Sequence, residues 1–187
     1  MQSLLIALGI VALVVIILIG IYNGLVAKRQ QCNEAFAGID VQLKQRQNLV
    51  PNLVETVKGY AGHEQETLQQ VIAARNSAIQ AHSPGETAEA EGALTAALGK
   101  LFALAEAYPD LKANTNFLQL QGELSAIEDK IAAARRFYNS AVGDYNTAVE
   151  QFPAAMFASG FGFEKREFFD LGEQGRADLS VTPEVKF

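Results

Sequence analysis

Apolar positions take three different spacings along this chain, and each spacing predicts a different element. The first is an unbroken run. Leu4 to Tyr22 reads LLIALGIVALVVIILIGIY, without a charge or a proline. As a helix rising about 1.5 Å per residue it reaches about 28 Å, enough to cross the hydrocarbon core of a bilayer. A cleavable signal peptide fits less well: no basic residue precedes the run, the run is too long, and no A-x-A site follows it. An uncleaved anchor is expected.

The second spacing alternates three and four. It runs through Phe117, Leu120, Leu124, Ile127, Ile131, Ala134, Tyr138, Ala141, Tyr145, Ala148 and Phe152 without a miss, which is a heptad seam on one long helix. Alanines replace larger residues in one position set of its C-terminal half, so a neighbouring helix can come close where Tyr138 and Tyr145 project. A similar series carries Phe36, Leu43, Val50, Val57, Glu64, Val71 and Ala78, interleaved with Ile39, Leu53, Tyr60 and Ala74. Pro51 falls inside it without resetting the phase, and no Gly, Asp or Ser cluster accompanies it to make a turn. This favours one near-continuous helix over a hairpin. The alternative places Pro51 in the first turn of a new helix, where its missing N–H costs nothing. A further helix starts at SPGE: Ser83 as N-cap, Pro84 in the first turn and Glu86 closing a capping box. Its stripe passes through Leu94, Leu98, Leu101, Ala105 and Tyr108 and stops at Pro109. Short connections near 80–84 and 109–114 predict antiparallel neighbours.

The third spacing is no spacing at all. After the last helix, FPAAMFASGFGFEKREFF packs Phe152, Phe157, Phe161, Phe163, Phe168 and Phe169 among Gly, Ala and Ser. Such a tail either folds back over the bundle or docks on another subunit, a partner or the lipid surface. The closing VTPEVKF is expected to be a flexible end. The predicted organisation is an anchor over 1–27 with its span at about 4–22, a helical bundle over 28–152 and a Phe/Gly-rich tail over 153–187. The fold class is all-α: an N-terminal transmembrane helix followed by an elongated antiparallel bundle of three to four long helices.

Charge adds orientation and excludes a partner class. Lys28 and Arg29 follow the span and no basic residue precedes it, so the positive-inside bias favours a cytoplasmic C-terminal domain at the inner membrane. The formal net charge of −6 argues against nucleic acid, which requires clustered Lys and Arg. The single cysteine, Cys32, cannot form an intrachain disulfide, and RQQC is no lipobox.

Catalytic patterns are weak throughout. His63 precedes Glu64, yet no second ligand follows at helical spacing, so HExxH zinc chemistry is excluded. Cys32 has no histidine nearby, and no glycine-rich phosphate loop is present. No cofactor, metal or enzymatic activity is expected. The polar interruptions of the apolar seams are more informative. A carboxylate at seam position Glu64 needs a partner, with Arg46 and Arg75 the phase-compatible candidates. Together with Phe157, Phe161, Phe163, Phe168 and Phe169 they form the expected contacts of a homo-oligomer or partner complex.

Four stretches carry a resemblance: YNGLVAKRQQCNEAFAGIDVQLKQRQNLVPNLVETVKGYAGHE (22–64), VIAARNSA (71–78), YPDLKANTNFLQLQGELSAIEDKIAAARRFYNSAVGDYNTAVEQFP (108–153) and FGFEKREFF. The chain resembles the LemA family of bacterial membrane proteins over nearly its whole length. It departs where the family often has Trp-Ser, carrying Phe36 and Ala37 instead. The resemblance implies single-pass anchored all-α bundles without established catalysis. It also implies a link to a membrane zinc protease of the HtpX type, as its regulator or partner, and a role in membrane organisation through a magnetosome-membrane relative. The expected function is a self-assembling scaffold or adaptor held on the lipid bilayer.

Overall fold

The structure, a computed structural model, describes residues 1–170; the closing VTPEVKF expected to be flexible lies outside them. Five helices follow in order: α1 (Gln2–Lys58), α2 (Gln65–Gln80), α3 (Pro84–Ala105), the single turn α4 (Pro109–Lys112) and α5 (Thr115–Glu150). Two 3-10 turns, Ala154–Met156 and Ser159–Phe161, lead into an extended segment. The all-α expectation holds, with four long helices in the bundle.

Helix α1 dominates the architecture. It is 57 residues long, or about 86 Å at 1.5 Å per residue. None of its first twenty residues is buried against the rest of the chain, and the most apolar window there has a mean hydropathy of 3.4. This part is long and apolar enough to cross a membrane. From Leu25 onward the same helix turns one face into the bundle, burying Leu25, Cys32, Ala35, Ile39 and Leu43, then Val50, Leu53, Val54 and Val57. No structural break separates the expected anchor from the expected bundle at residue 27/28.

Contacts between side chains give the directions. Arg46 meets Glu128 and Phe36 packs against Tyr138, so α5 runs antiparallel to α1. Arg75 reaches Gln47, so α2 runs down α1, while Lys100 meets Gln70 and Tyr108 meets Glu64, so α3 runs up α2. The bundle is up-down-up-down, as short connections dictate. Ser83 and Glu86 make the reciprocal capping box expected of them, and Asn114 caps α5 by accepting from the Phe117 N–H at 3.0 Å.

The apolar core falls into two clusters, one above the other. The upper cluster joins the end of α1 to α2, α3, α4 and the start of α5. The lower one, nearer the bare run, joins α1 between Leu25 and Leu43 to α5 between Ile127 and Val149. The start of α3 reaches it with Ala88, but toward the bare run only the long helices α1 and α5 extend alongside each other, and two helices cannot enclose a core. The tail supplies the missing wall, with Ala154, Ala158, Phe163 and Phe169 buried in the same cluster.

Three details of the seams differ from expectation. Phe152 is 82% exposed, because α5 ends at Glu150 and no longer carries the seam. Tyr60 is exposed and Glu64 lies outside any helix, because the chain turns between Lys58 and Gln65. Gly59 and Gly62, eight or more residues past the proline, accompany that turn. Val142 and Val149, off the expected seam, are buried, because α5 presents a face wider than a strict heptad stripe to α1 and the tail.

Pro51 lies inside α1, as the unbroken phase predicts. Having no N–H, it cannot bond the carbonyl of Gln47 four residues back. That carbonyl instead accepts from Arg75 Nε of α2 at 2.7 Å. The proline thus opens a backbone acceptor on α1, and the opening is used to fasten a neighbouring helix. Arg75→Ala should therefore destabilise the full chain in detergent by about 1–3 kcal/mol, the cost of stranding a buried acceptor. In a Pro51→Ala background the restored N–H takes over, and the same substitution should cost clearly less. A double-mutant cycle by urea unfolding measures the difference.

Candidate functional site

Between the two apolar clusters lies a layer of polar side chains. Arg46 and Gln47 come from α1, just past Leu43 of the lower cluster and just before Val50 of the upper. Glu91 comes from α3, between Ala88 and Leu94 of the two clusters. Glu128 comes from α5. Arg46 Nη1 lies 3.2 Å from Glu91 Oε2 and 3.2 Å from Glu128 Oε2, and its Nη2 donates to Thr95 Oγ1 at 2.8 Å. Gln47 Nε2 donates to the other Glu91 oxygen at 2.9 Å. Glu91 is completely buried and Arg46 nearly so.

Burial pushes the Glu91 carboxyl up from its ordinary value, against the Gln47 hydrogen bond and the Arg46 and Arg135 charges that pull it down. One heptad along α5 from Glu128, burial holds Arg135 below the usual arginine value, with Glu128 opposing. Arg135 Nε and Nη2 are buried with no hydrogen-bond partner among the described residues, and its guanidinium lies 5.0 Å from the centre of the Phe169 ring. A cleft of about 330 Å³ runs beside the layer between α3 and α5, with Arg46, Thr95, Phe102 and Glu128 in its wall. Its charged members already neutralise each other. The layer is chemically a lock between helices.

The second constellation holds the tail. Asn146 of α5 donates Nδ2 to the Arg166 carbonyl at 2.9 Å, and its Oδ1 accepts from the Arg166 N–H at 2.8 Å. Asn139, one heptad earlier, does the same to Phe169, at 3.0 and 2.8 Å. Tyr138 adds a bond from its hydroxyl to the Glu167 carbonyl at 2.9 Å. The extended segment is thus held through its backbone, as a strand is held in a sheet, but by side chains of a helix. Phe163 and Phe169 fill the apolar floor, Arg29 lies 4.9 Å from the Phe163 ring centre, and Lys165 pairs with Glu150. Gly162, with φ of 72°, makes the left-handed step from the second 3-10 turn into this segment, a step that glycine takes without strain. A groove of about 560 Å³ remains between the segment, α1 and the start of α3, bordered by Phe36, Asp40, Pro84 and Tyr138.

These contacts relocate most of the residues expected to meet another chain. Arg46 is consumed by Glu91 and Glu128, and Arg75 by the Gln47 carbonyl. Glu64 accepts from the Tyr108 hydroxyl at 3.1 Å, with neither arginine as its partner. The polar seam positions are satisfied within one chain, which removes them as a reason for assembly. Phe163 and Phe169 are buried by their own bundle and Phe157 is half-buried, whereas Phe161 and Phe168 are exposed. His63 and His82 are exposed. Cys32 is buried between α1 and α5, which raises its thiol.

Two features of the sequence mark these sites. The stripe of α3, continued back one turn from Leu94, lands on Glu91. The dipeptide Tyr-Asn recurs at 138–139 and 145–146, one heptad apart, so that each seam tyrosine is followed by a clamp.

An apolar helix continued without a break into an all-α bundle, closed by its own clamped tail, defines a membrane-associated helical protein whose convergent polar groups serve the fold. The LemA family model matches residues 35–187, and the chain belongs to that family. It is 24% identical over 211 residues to "Magnetosome protein MamQ" of Magnetospirillum gryphiswaldense, covering 98% of this chain and 77% of that one. It is 24% identical over 204 residues to "Magnetosome protein MamQ 2" of Paramagnetospirillum magneticum, covering 95% and 74%. With "Protein LemA" of Metamycoplasma hominis the identity is 27% over 168 residues, covering 88% and 75%.

Two substitutions separate the buried half of the polar layer from its exposed half. Glu91→Ala leaves Arg46 partly unpaired in the core and should cost about 3–5 kcal/mol. Glu128→Ala removes a carboxylate whose side chain is 40% exposed and should cost no more than about 1 kcal/mol. Urea unfolding of the full chain in detergent reads both. For the tail, Asn139→Ala and Asn146→Ala should each cost about 1–3 kcal/mol by stranding a donor and an acceptor. Hydrogen exchange should rise at the Phe169 amide in the first and the Arg166 amide in the second, with α1 and α5 unchanged.

Proposed function

We propose that this protein is a non-catalytic scaffold or adaptor of the inner membrane, anchored by the N-terminal half of α1 and presenting its bundle on the cytoplasmic side. The observation that carries the reading is the continuity of α1 from a bare apolar run to the buried polar layer at Arg46. A bundle joined to its anchor by a flexible linker can tumble over the membrane. A bundle whose central helix is the anchor is held at a fixed height and tilt, which suits a protein that positions others. Lys28 and Arg29 directly after the span favour the cytoplasmic side. Family membership and relatives named for the magnetosome support a membrane setting.

Self-assembly belongs to the proposal through confinement. An anchor restricts every copy to one plane and one orientation, which raises effective concentration and lets weak lateral contacts count. Exposed apolar side chains on the bundle's flanks, including Val41, Leu118 and Phe168, offer such contacts. The test is the mass of the full chain extracted with its native lipids into nanodiscs. Several copies of the 20.2 kDa chain per particle are expected. A particle with a single copy overturns self-assembly, and a membrane protease recovered with that copy in equal amount would replace the scaffold reading with a regulatory one.

A further inference from the structure

The turn that joins α5 to the clamped tail has a composition unlike the rest of the surface. Residues 151–163, QFPAAMFASGFGF, contain no charged side chain. Three large apolar groups stand out from it: Phe152 at 82% exposure, Met156 at 75% and Phe161 at 58%. The knuckle is nonetheless well built. Its two 3-10 turns are internally hydrogen-bonded, Phe157 packs edge-on to Phe161 at 6.1 Å, and Ala154 and Ala158 anchor it in the lower cluster. Apolar groups held outward by an ordered scaffold call for something to cover them.

The height of the knuckle names the cover. Phe161 packs edge-on against Tyr22 with ring centres 5.5 Å apart, and Tyr22 is the last residue of the apolar run Leu4 to Tyr22. The packing of α1 on α5 gives the same level independently. Phe36 packs against Tyr138, and the two antiparallel helices rise equally per residue. Twelve residues before Phe36 is Gly24, and twelve after Tyr138 is Glu150, the last of α5, with Phe152 two residues beyond it. Charge resumes at once on the bundle side, at Lys28 and Arg29 on α1, at Glu150 ending α5, and at Glu164 and Lys165 on the tail, where Lys165 pairs with Glu150.

We infer that the knuckle around Phe152, Met156 and Phe161 is a lipid-facing foot, seated in the headgroup zone of the leaflet from which α1 emerges. Aromatic side chains favour that zone, where an apolar ring is covered while the neighbouring backbone stays near water. With α1 the foot makes two points of attachment, so the bundle is restrained from pivoting about its anchor. The inference rests on the anchoring of α1, and its test separates the two.

The chain has no tryptophan, so one introduced indole reports its own surroundings. Four single-site variants of the full chain are placed in vesicles of phosphatidylcholine and phosphatidylglycerol, with and without lipids brominated near the headgroup end of their chains. Ile16→Trp reports the span, Met156→Trp and Phe161→Trp report the foot, and Phe137→Trp, exposed farther up α5, reports water. The foot variants should emit to the blue of Phe137→Trp and lose fluorescence several-fold to brominated lipid, while Phe137→Trp is unaffected. A foot that emits like Phe137→Trp and is unquenched, beside a quenched Ile16→Trp, overturns the inference and leaves the anchor standing. Blue emission without quenching overturns it too and assigns the cover to a second copy of the chain. If Ile16→Trp itself escapes quenching, the anchoring fails and the foot falls with it.

Discussion

An arginine buried at the centre of a helical bundle is tolerable only where a carboxylate can meet it, and the arrangement around Arg46 follows from that requirement. Desolvating either ion alone costs several kcal/mol, so Arg46 of α1 and Glu91 of α3 must lie at one level. Glu128 brings α5 to the same level, and Gln47 supplies the remaining Glu91 oxygen with a donor. Sliding any of these helices by a turn would leave a charge against Leu43, Leu94 or Leu124, which are apolar and buried. Leucine-rich seams pack nearly as well in several registers; a polar layer packs in one. The pair therefore fixes register more than it adds stability.

That single level divides the molecule into two regimes. Above it, four helices surround a core and close it among themselves. Below it, α2 and α3 reach about two turns further, to the level of Phe36 and Asp40, and beyond their turn α1 continues with α5 alone toward the anchor. Apolar residues such as Val142, Tyr145 and Val149 would face water there unless something replaced the missing pair. A third helix would need its own connection back up the bundle. An extended segment covers the gap with fewer residues, but its backbone groups need partners that a helix surface does not ordinarily provide. Asn139 and Asn146 provide them in pairs, which explains why amides occupy positions bordering the tyrosines of the seam. Phe163 and Phe169 complete the core.

How much of this could be read from the chain depends on whether the signal was periodic. The long helices, the capping box at Ser83 and the continuity through Pro51 all rest on local phase or local hydrogen bonding. They are legible because each is decided within a turn or two. The turn at residues 59–64 was hidden because Glu64 and Val71 happen to continue the heptad count across it. The partners of Arg46, Glu64 and Arg75 were illegible for a different reason. Glu91, Tyr108 and the Gln47 carbonyl lie far away in sequence or on the backbone, and composition says nothing about which of them the fold will bring close. The aromatic tail was ambiguous from sequence because Phe163 and Phe161 have the same chemistry, and only packing makes one a core residue and the other a surface one.

Pro51 ties these levels together. In an isolated helix it would be a defect, removing a hydrogen bond and leaving the Gln47 carbonyl bare. Here Gln47 is the residue whose side chain holds Glu91, so the bare carbonyl belongs to the polar layer itself. Arg75 reaches it from α2, which makes α2 the fourth helix tied to that level after α1, α3 and α5. All four long helices are thereby fixed axially at one height along α1. Because α1 is also the helix that runs into the apolar span, a height fixed on α1 is a height fixed relative to the span. The register of the whole bundle is set from one stretch of the helix that leads to the anchor, about two dozen residues beyond it. The proline is architecture: its missing N–H gives α2 a place to attach without displacing any bond that α1 would otherwise make.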